Sequence, residues 1–162
     1  MTRAISMAAI AALMVLPTTA HASHGPNAGP KHDFAVGGGI SGINTHFGFA
    51  AQSRPNRTDF GHVVFKNQTA GTETSGHVVC VRTDDNRASF VFEIEQGMPQ
   101  GMFRTIFVED NGPPVDGEPV DAVVGGPIAA SPPDECPEPM DVPPARTLAE
   151  GNILVHDSPA DA

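Results

Sequence analysis

The sequence predicts an all-β fold, a single antiparallel β-sandwich or small barrel of about seven strands. Three observations predict it. Short runs rich in Val, Ile and Phe recur between spacers rich in Gly, Pro, Asn and Asp, the compositions of strands and of turns. Beyond residue 22 no segment reads as a helix. The stretch from His77 to Glu95 reads as a β-hairpin, two Val- and Phe-rich halves around Asp84-Asp85-Asn86-Arg87.

Taken in order, the β domain spans 34–157, after a flexible lead over 23–33 and before a frayed tail over 158–162. Phe34 to Ile40 is the first strand. Its Gly37-Gly38-Gly39 marks a bulge, a bend or a close backbone approach, with a glycine loop as the alternative. No Lys-Ser or Lys-Thr follows, so it is not a phosphate loop. His46 to Ala51 alternates, with Phe47, Phe49 and Ala51 on one face. Gln52 to Asp59 is a polar loop, Phe60 to Lys66 a strand, and Asn67 to Ser75 a Gly/Thr/Ser turn region.

In the hairpin, Asp85-Asn86 fills a tight turn, because Asp and Asn tolerate positive φ. That turn pairs Asp84 with Arg87, Thr83 with Ala88, Val81 with Phe90 and Val79 with Phe92. One face then carries Val79, Val81, Ala88, Phe90, Phe92 and Ile94 and belongs to the core. The other carries Val78, Cys80, Arg82, Ser89, Val91, Glu93 and Glu95, a mixed face that predicts partial cover. Met102 to Val108 is a strand that Asn111-Gly112-Pro113 ends. Residues 111–146 hold ten prolines and little periodicity, with a short strand over Val120–Val124 at most. Cys136 lies in this segment, which predicts that it is stapled across the mixed face carrying Cys80. Gly151 to Asp157 is the closing strand.

Residues 1–22 read as a cleaved signal peptide: Arg3, an apolar run from Ala4 to Leu16, and an Ala-x-Ala ending at Ala22. The apolar run is too short for a membrane span, so a secreted or extracytoplasmic protein is expected, not membrane-spanning after cleavage. Cleavage leaves eight Lys and Arg against 19 Asp and Glu, a net charge of about −11. Nucleic-acid binding needs clustered positive charge and is set aside. Two cysteines in an exported chain predict one disulfide, Cys80–Cys136; free thiols or an intermolecular bridge are the alternatives.

Candidate chemistry is sparse. His46, His62, His77 and His156 could converge from neighbouring strands on zinc or copper, but no His-x-His or His-x3-His spacing joins them. Asp110, Asp116, Glu118 and Asp121 crowd together as a calcium candidate whose spacing is not that of an EF-hand; an acidic solvent loop is the plainer reading. Glu93 with Glu95, and Glu109-Asp110, offer carboxylate pairs. With no Trp and no Tyr to stack a sugar, they read as solvated strand faces. There is no Gly-x-Ser-x-Gly, and bonded cysteines are not nucleophiles. Asn56 and Asn67 open glycosylation sequons, in agreement with exposed loops.

Four pieces together resemble a family of small exported bacterial β-domains of uncharacterised function. They are Gly37-Gly38-Gly39 with Phe47-Gly48-Phe49, Val79-Cys80-Val81 with Asn86-Arg87-Ala88, Val108-Glu109-Asp110-Asn111-Gly112, and Gly151-Asn152-Ile153-Leu154-Val155-His156. The resemblance implies secretion and a β fold and transfers no catalytic residue. The expected function is a non-catalytic binding or cell-envelope interaction module, its partner a protein or envelope component, with no cofactor. One alternative is a small-ligand or lipid-binding barrel whose cavity is lined by Phe47, Phe49, Phe90, Phe92 and Phe103; another is an extracytoplasmic metal protein using the strand histidines.

Overall fold

The computed structural model describes residues 32–42, 44–53, 59–116 and 120–158. The expected signal peptide, the lead up to Lys31 and the last four residues lie outside them. Eight antiparallel strands form one curled half-barrel sheet: β1 (Phe34–Ser41), β2 (Thr45–Gln52), β3 (Phe60–Asn67), β4 (Thr72–Asp84), β5 (Arg87–Gln96), β6 (Phe103–Glu109), β7 (Ala122–Ala129) and β8 (Leu148–His156). Their order across the sheet is β7-β6-β5-β4-β3-β2-β1-β8. The chain is therefore a meander whose last strand pairs with its first. The sheet is single and continuous, so of the two expected architectures the sandwich drops out.

There are eight strands rather than seven. Val120–Val124 is no short fragment: β7 starts at Ala122 and runs through Gly125-Gly126-Pro127 to Ala129. Such residues argue against a central strand, but β7 is an edge. Its register slips between Arg104↔Ile128 and Ile106↔Gly125, which places an extra residue on β7 there. Likewise β4 begins at Thr72, inside what reads as a turn region in sequence.

The hairpin register holds from Asp84↔Arg87 through Cys80↔Val91. A bulge at Val79 then sets Val78, not Val79, opposite Phe92. Val78 consequently takes the buried place and Val79 is half-exposed. At the tip Asp85 has φ 57°, and Arg87 Nη2 lies 2.8 Å from Asp84 Oδ2.

The concave face holds the main core, in which Phe90 and Phe92 are fully buried and Phe47 and Phe49 nearly so. Phe49 stacks on Phe90 at 4.9 Å and Phe47 on Phe49 at 6.1 Å, while Phe65 lies tilted against Phe92 at 6.3 Å. Each buried ring contributes roughly 1.5–3 kcal/mol. The glycines of β1 make room for this stack. A Cβ on Gly37 would stand 2.9 Å from Ile153 Cγ1 and 3.0 Å from Phe49 Cε1. Gly39 faces Gly151 (φ 115°), where the backbones of β1 and β8 approach too closely for any side chain. The triple glycine is thus a close approach within a strand.

The Pro-rich segment crosses the convex face of the hairpin. Cys136 meets Cys80 at disulfide distance, their Cα atoms 5.7 Å apart. The Ser89 hydroxyl donates to the Pro137 carbonyl. Arg82 pairs with Glu138 and Arg87 with Asp141, both at 2.6 Å. Val142 then enters a second small core with Phe107 and Ala122. This cover explains why Ser89 and Val91, on the mixed face, are buried.

Candidate functional site

The two ends of the half-barrel differ in chemistry. One end carries the hairpin tip, the start of β1 and the ends of β6 and β8, and it is laced by aspartates that accept backbone N–H groups. Asp59 Oδ2 accepts from Val81 N at 2.9 Å, and Asp33 Oδ1 from Ser158 N at 2.9 Å. Asp157 accepts from the Thr83 hydroxyl at 2.9 Å and from Asp85 N at 3.1 Å. Burial pushes the Asp59 pKa above its ordinary value; the Val81 N–H opposes this and the nearby Asp33 charge adds to it.

The opposite end is open. A cavity of about 690 Å³ lies there, its walls supplied by β1, β2, β3, β4, β6, β7 and the 3₁₀ turn at Pro144–Arg146. The strand alternation that aims Phe47, Phe65 and Ile106 inward also aims Ser41, Thr45, Asn67, Thr72 and Thr74 inward at this end. The result is a hydroxyl- and amide-rich wall above an apolar floor of Phe65, Ile106 and Val123. Among the described residues no Asp, Glu, His or Cys lines it, but two arginines do, Arg104 and Arg146. Arg104 lies two residues from Ile106 and four from Val108, so it continues the core face of β6. Its Nε is enclosed and has no hydrogen-bond partner. Gly125, the inward position of β7 beside it, leaves space for the guanidinium: a Cβ there would collide with Arg104 Nη2.

The sequence candidates lie elsewhere. Register sets His62 opposite His77 on the convex face, and His77 sits 3.0 Å from Glu95 and 3.7 Å from Glu93. His46 pairs across strands with Lys66, and His156 stacks on Phe34 at 5.0 Å. The four histidines are not brought together. Among the described residues no group of three or more His, Cys, Asp or Glu side chains is placed to hold a metal ion. In the acidic stretch, Asp110 accepts from Gly112 N and Val155 N, and Asp121 from Asn111 N and Ile153 N. Asp116 is exposed, and Glu118 lies outside the described residues. Asn67 ends β3 rather than sitting in a loop, and its side-chain oxygen accepts from Ala70 N at 2.8 Å. Asn56 lies outside the described residues.

Of the five phenylalanines expected to line a cavity, Phe47, Phe49, Phe90 and Phe92 pack as the core and Phe103 sits off it. None of the five lines the mouth. Arg104 is the mouth residue that sequence reasoning passed over. Its signal was available: counting back by twos from Val108 through Ile106 lands on an arginine. Compared with protein-family models, curated proteins and solved structures, the chain matches none. The family resemblance therefore stands on its short motifs alone.

Proposed function

We propose that the protein is an exported, non-catalytic binding module that takes a small ligand at the open end of its half-barrel. The observation that carries this reading is the cavity of about 690 Å³ walled by six of the eight strands. Its size falls in the range of about 300–1,000 Å³ typical of ligand sites. Among the described residues the lining has no carboxylate, imidazole or thiol to serve as base or nucleophile, which favours binding over catalysis. Export is supported by the signal-peptide pattern and by the Cys80–Cys136 pair, a bond that persists in oxidising compartments.

Docking of an envelope partner on the Pro-rich segment has less support. Two of its acidic side chains, Glu138 and Asp141, are already paired with Arg82 and Arg87 of its own sheet. A lipid held deep in the barrel has less support too, since stacked rings fill that space. Thermal unfolding of the purified protein against a panel of small organic acids, sugars, amines and neutral aromatics tests the reading. At least one class raises the midpoint with rising concentration. Thr74→Trp, which fills the mouth from the β4 wall, abolishes that rise. A panel without any stabilising compound, or a response that survives Thr74→Trp, overturns the proposal.

A further inference from the structure

Five cationic Lys and Arg side chains fall among the described residues of this acidic chain. Three have carboxylate partners: Lys66 with Glu73 at 3.9 Å, Arg82 with Glu138, and Arg87 with Asp84 and Asp141. The other two, Arg104 and Arg146, have none among the described residues, and both line the same mouth. With 19 acidic residues against nine basic ones, partners for two more arginines are not scarce in this chain. Their absence from this one cavity is a property of the site.

Arg104 is the sharper case. A guanidinium on the core face of a sheet loses water, and that loss is made good only by hydrogen bonds or an opposite charge. Its Nε has neither. Gly125 meanwhile keeps open the space that its Nη2 occupies. A planar fork of donors beside an apolar floor suits one chemistry best. A carboxylate accepts two parallel N–H bonds from such a fork, and a hydrophobic body attached to it covers Phe65, Ile106 and Val123.

We infer that the mouth binds an organic carboxylate with a compact apolar body, its head held by Arg104 with Arg146 closing from the rim. This rests on the ligand-binding reading of the cavity and names its ligand class. Arg146 is exposed on the 3₁₀ turn and contributes mainly charge; Arg104 contributes the directed bonds.

The test uses three probes on the purified protein, followed by amide chemical shifts in NMR titrations: 2-naphthoate, its neutral counterpart 2-naphthamide, and acetate. 2-Naphthoate shifts the amides of Thr72, Thr74, Gly125 and Thr147 saturably. 2-Naphthamide and acetate each bind at least tenfold more weakly. Arg104→Gln weakens 2-naphthoate at least tenfold and leaves 2-naphthamide unchanged. Arg146→Gln, at an exposed position, weakens 2-naphthoate about threefold and more so at low salt. Equal binding of 2-naphthoate and 2-naphthamide overturns the carboxylate assignment while the cavity reading stands. So does unchanged 2-naphthoate affinity in both arginine variants. If acetate binds as tightly as 2-naphthoate, the apolar body is refuted. If no probe moves the mouth amides, the inference falls, and the thermal-unfolding panel alone decides the cavity reading.

Discussion

Single aspartates do much of the joining in this molecule, and Asp59 shows what that involves. Its carboxylate accepts the Val81 N–H, yet burial lifts its pKa above the ordinary aspartate value of 3.8, with the Asp33 charge adding to the rise. The folded chain therefore holds the Asp59 proton more tightly than the unfolded chain does. From this group alone, stability falls as pH rises from 3.8 through the raised folded value, and levels off above it. Asp59→Asn keeps an oxygen for Val81 N and removes the partly buried charge. We expect the variant to match or exceed the parent protein in urea midpoint at pH 7, with the gap closing as pH falls below 3.8. A gap that stays constant over that range would sink the assignment. The acidic composition is legible in the sequence, but its use is not. Asp59 lies 22 residues from the amide it caps and Asp157 lies 74 from Thr83, separations that no local pattern encodes.

At the scale of elements, the hairpin was readable because its turn chemistry and its alternation agree from Asp84↔Arg87 to Cys80↔Val91. The bulge at Val79 was not, because Val78 and Val79 are both valines and either satisfies the core face. β7 escaped full recognition for a different reason: Gly125-Gly126-Pro127 is poor strand sequence that only an edge position tolerates. The Pro-rich segment owes its place to long-range contacts of Cys136, Pro137, Glu138, Asp141 and Val142 with the sheet. Closing a loop with a sequence separation of 56 stabilises by about 4 kcal/mol in the chain-entropy model. Replacing both cysteines with alanine should lower stability by about 2–4 kcal/mol without unfolding the sheet. It should also make the 130–142 segment the first site of limited proteolysis, because Ser89 and Val91 would lose their cover. Mass spectrometry of the early fragments checks this. First cuts in the β4–β5 hairpin instead would show that the segment is not the outer layer of the fold.

At the scale of the whole molecule, the decisive feature is how a curled sheet with two edges holds its shape. The edge strand β7 meets Thr147, the residue before β8, in an isolated bridge, Ala122↔Thr147, beside which Leu148 N donates to the Asp121 carbonyl at 2.9 Å. Elsewhere the seam is closed by side chains. Asp121 is 1% exposed, and its Oδ2 accepts Ile153 N at 2.6 Å while Oδ1 accepts Asn111 N at 2.9 Å. Asp110 Oδ2 accepts Val155 N at 3.2 Å. Two carboxylates thus stand in for the missing neighbour of β8, and they blunt an edge that would otherwise offer free N–H groups to another chain. Asp110 and Asp121, two of the four residues that read as a calcium cluster in sequence, are the clasp of the fold. Asp121→Ala should therefore strand two amides, one of them buried, at about 1–3 kcal/mol each. Asp121→Asn keeps one acceptor oxygen and should fall between. Hydrogen exchange separates a local from a global effect. In the alanine variant, Asn111 and Ile153 should exchange far faster, while Phe90 in the hairpin core slows or speeds only with global stability. If Asp121→Ala stays within about 0.5 kcal/mol of the parent, a change typical of plain surface positions, the seam is held by something other than these carboxylates. Loss of exchange protection spread evenly over all eight strands would mean that the seam and the hairpin core open as one unit.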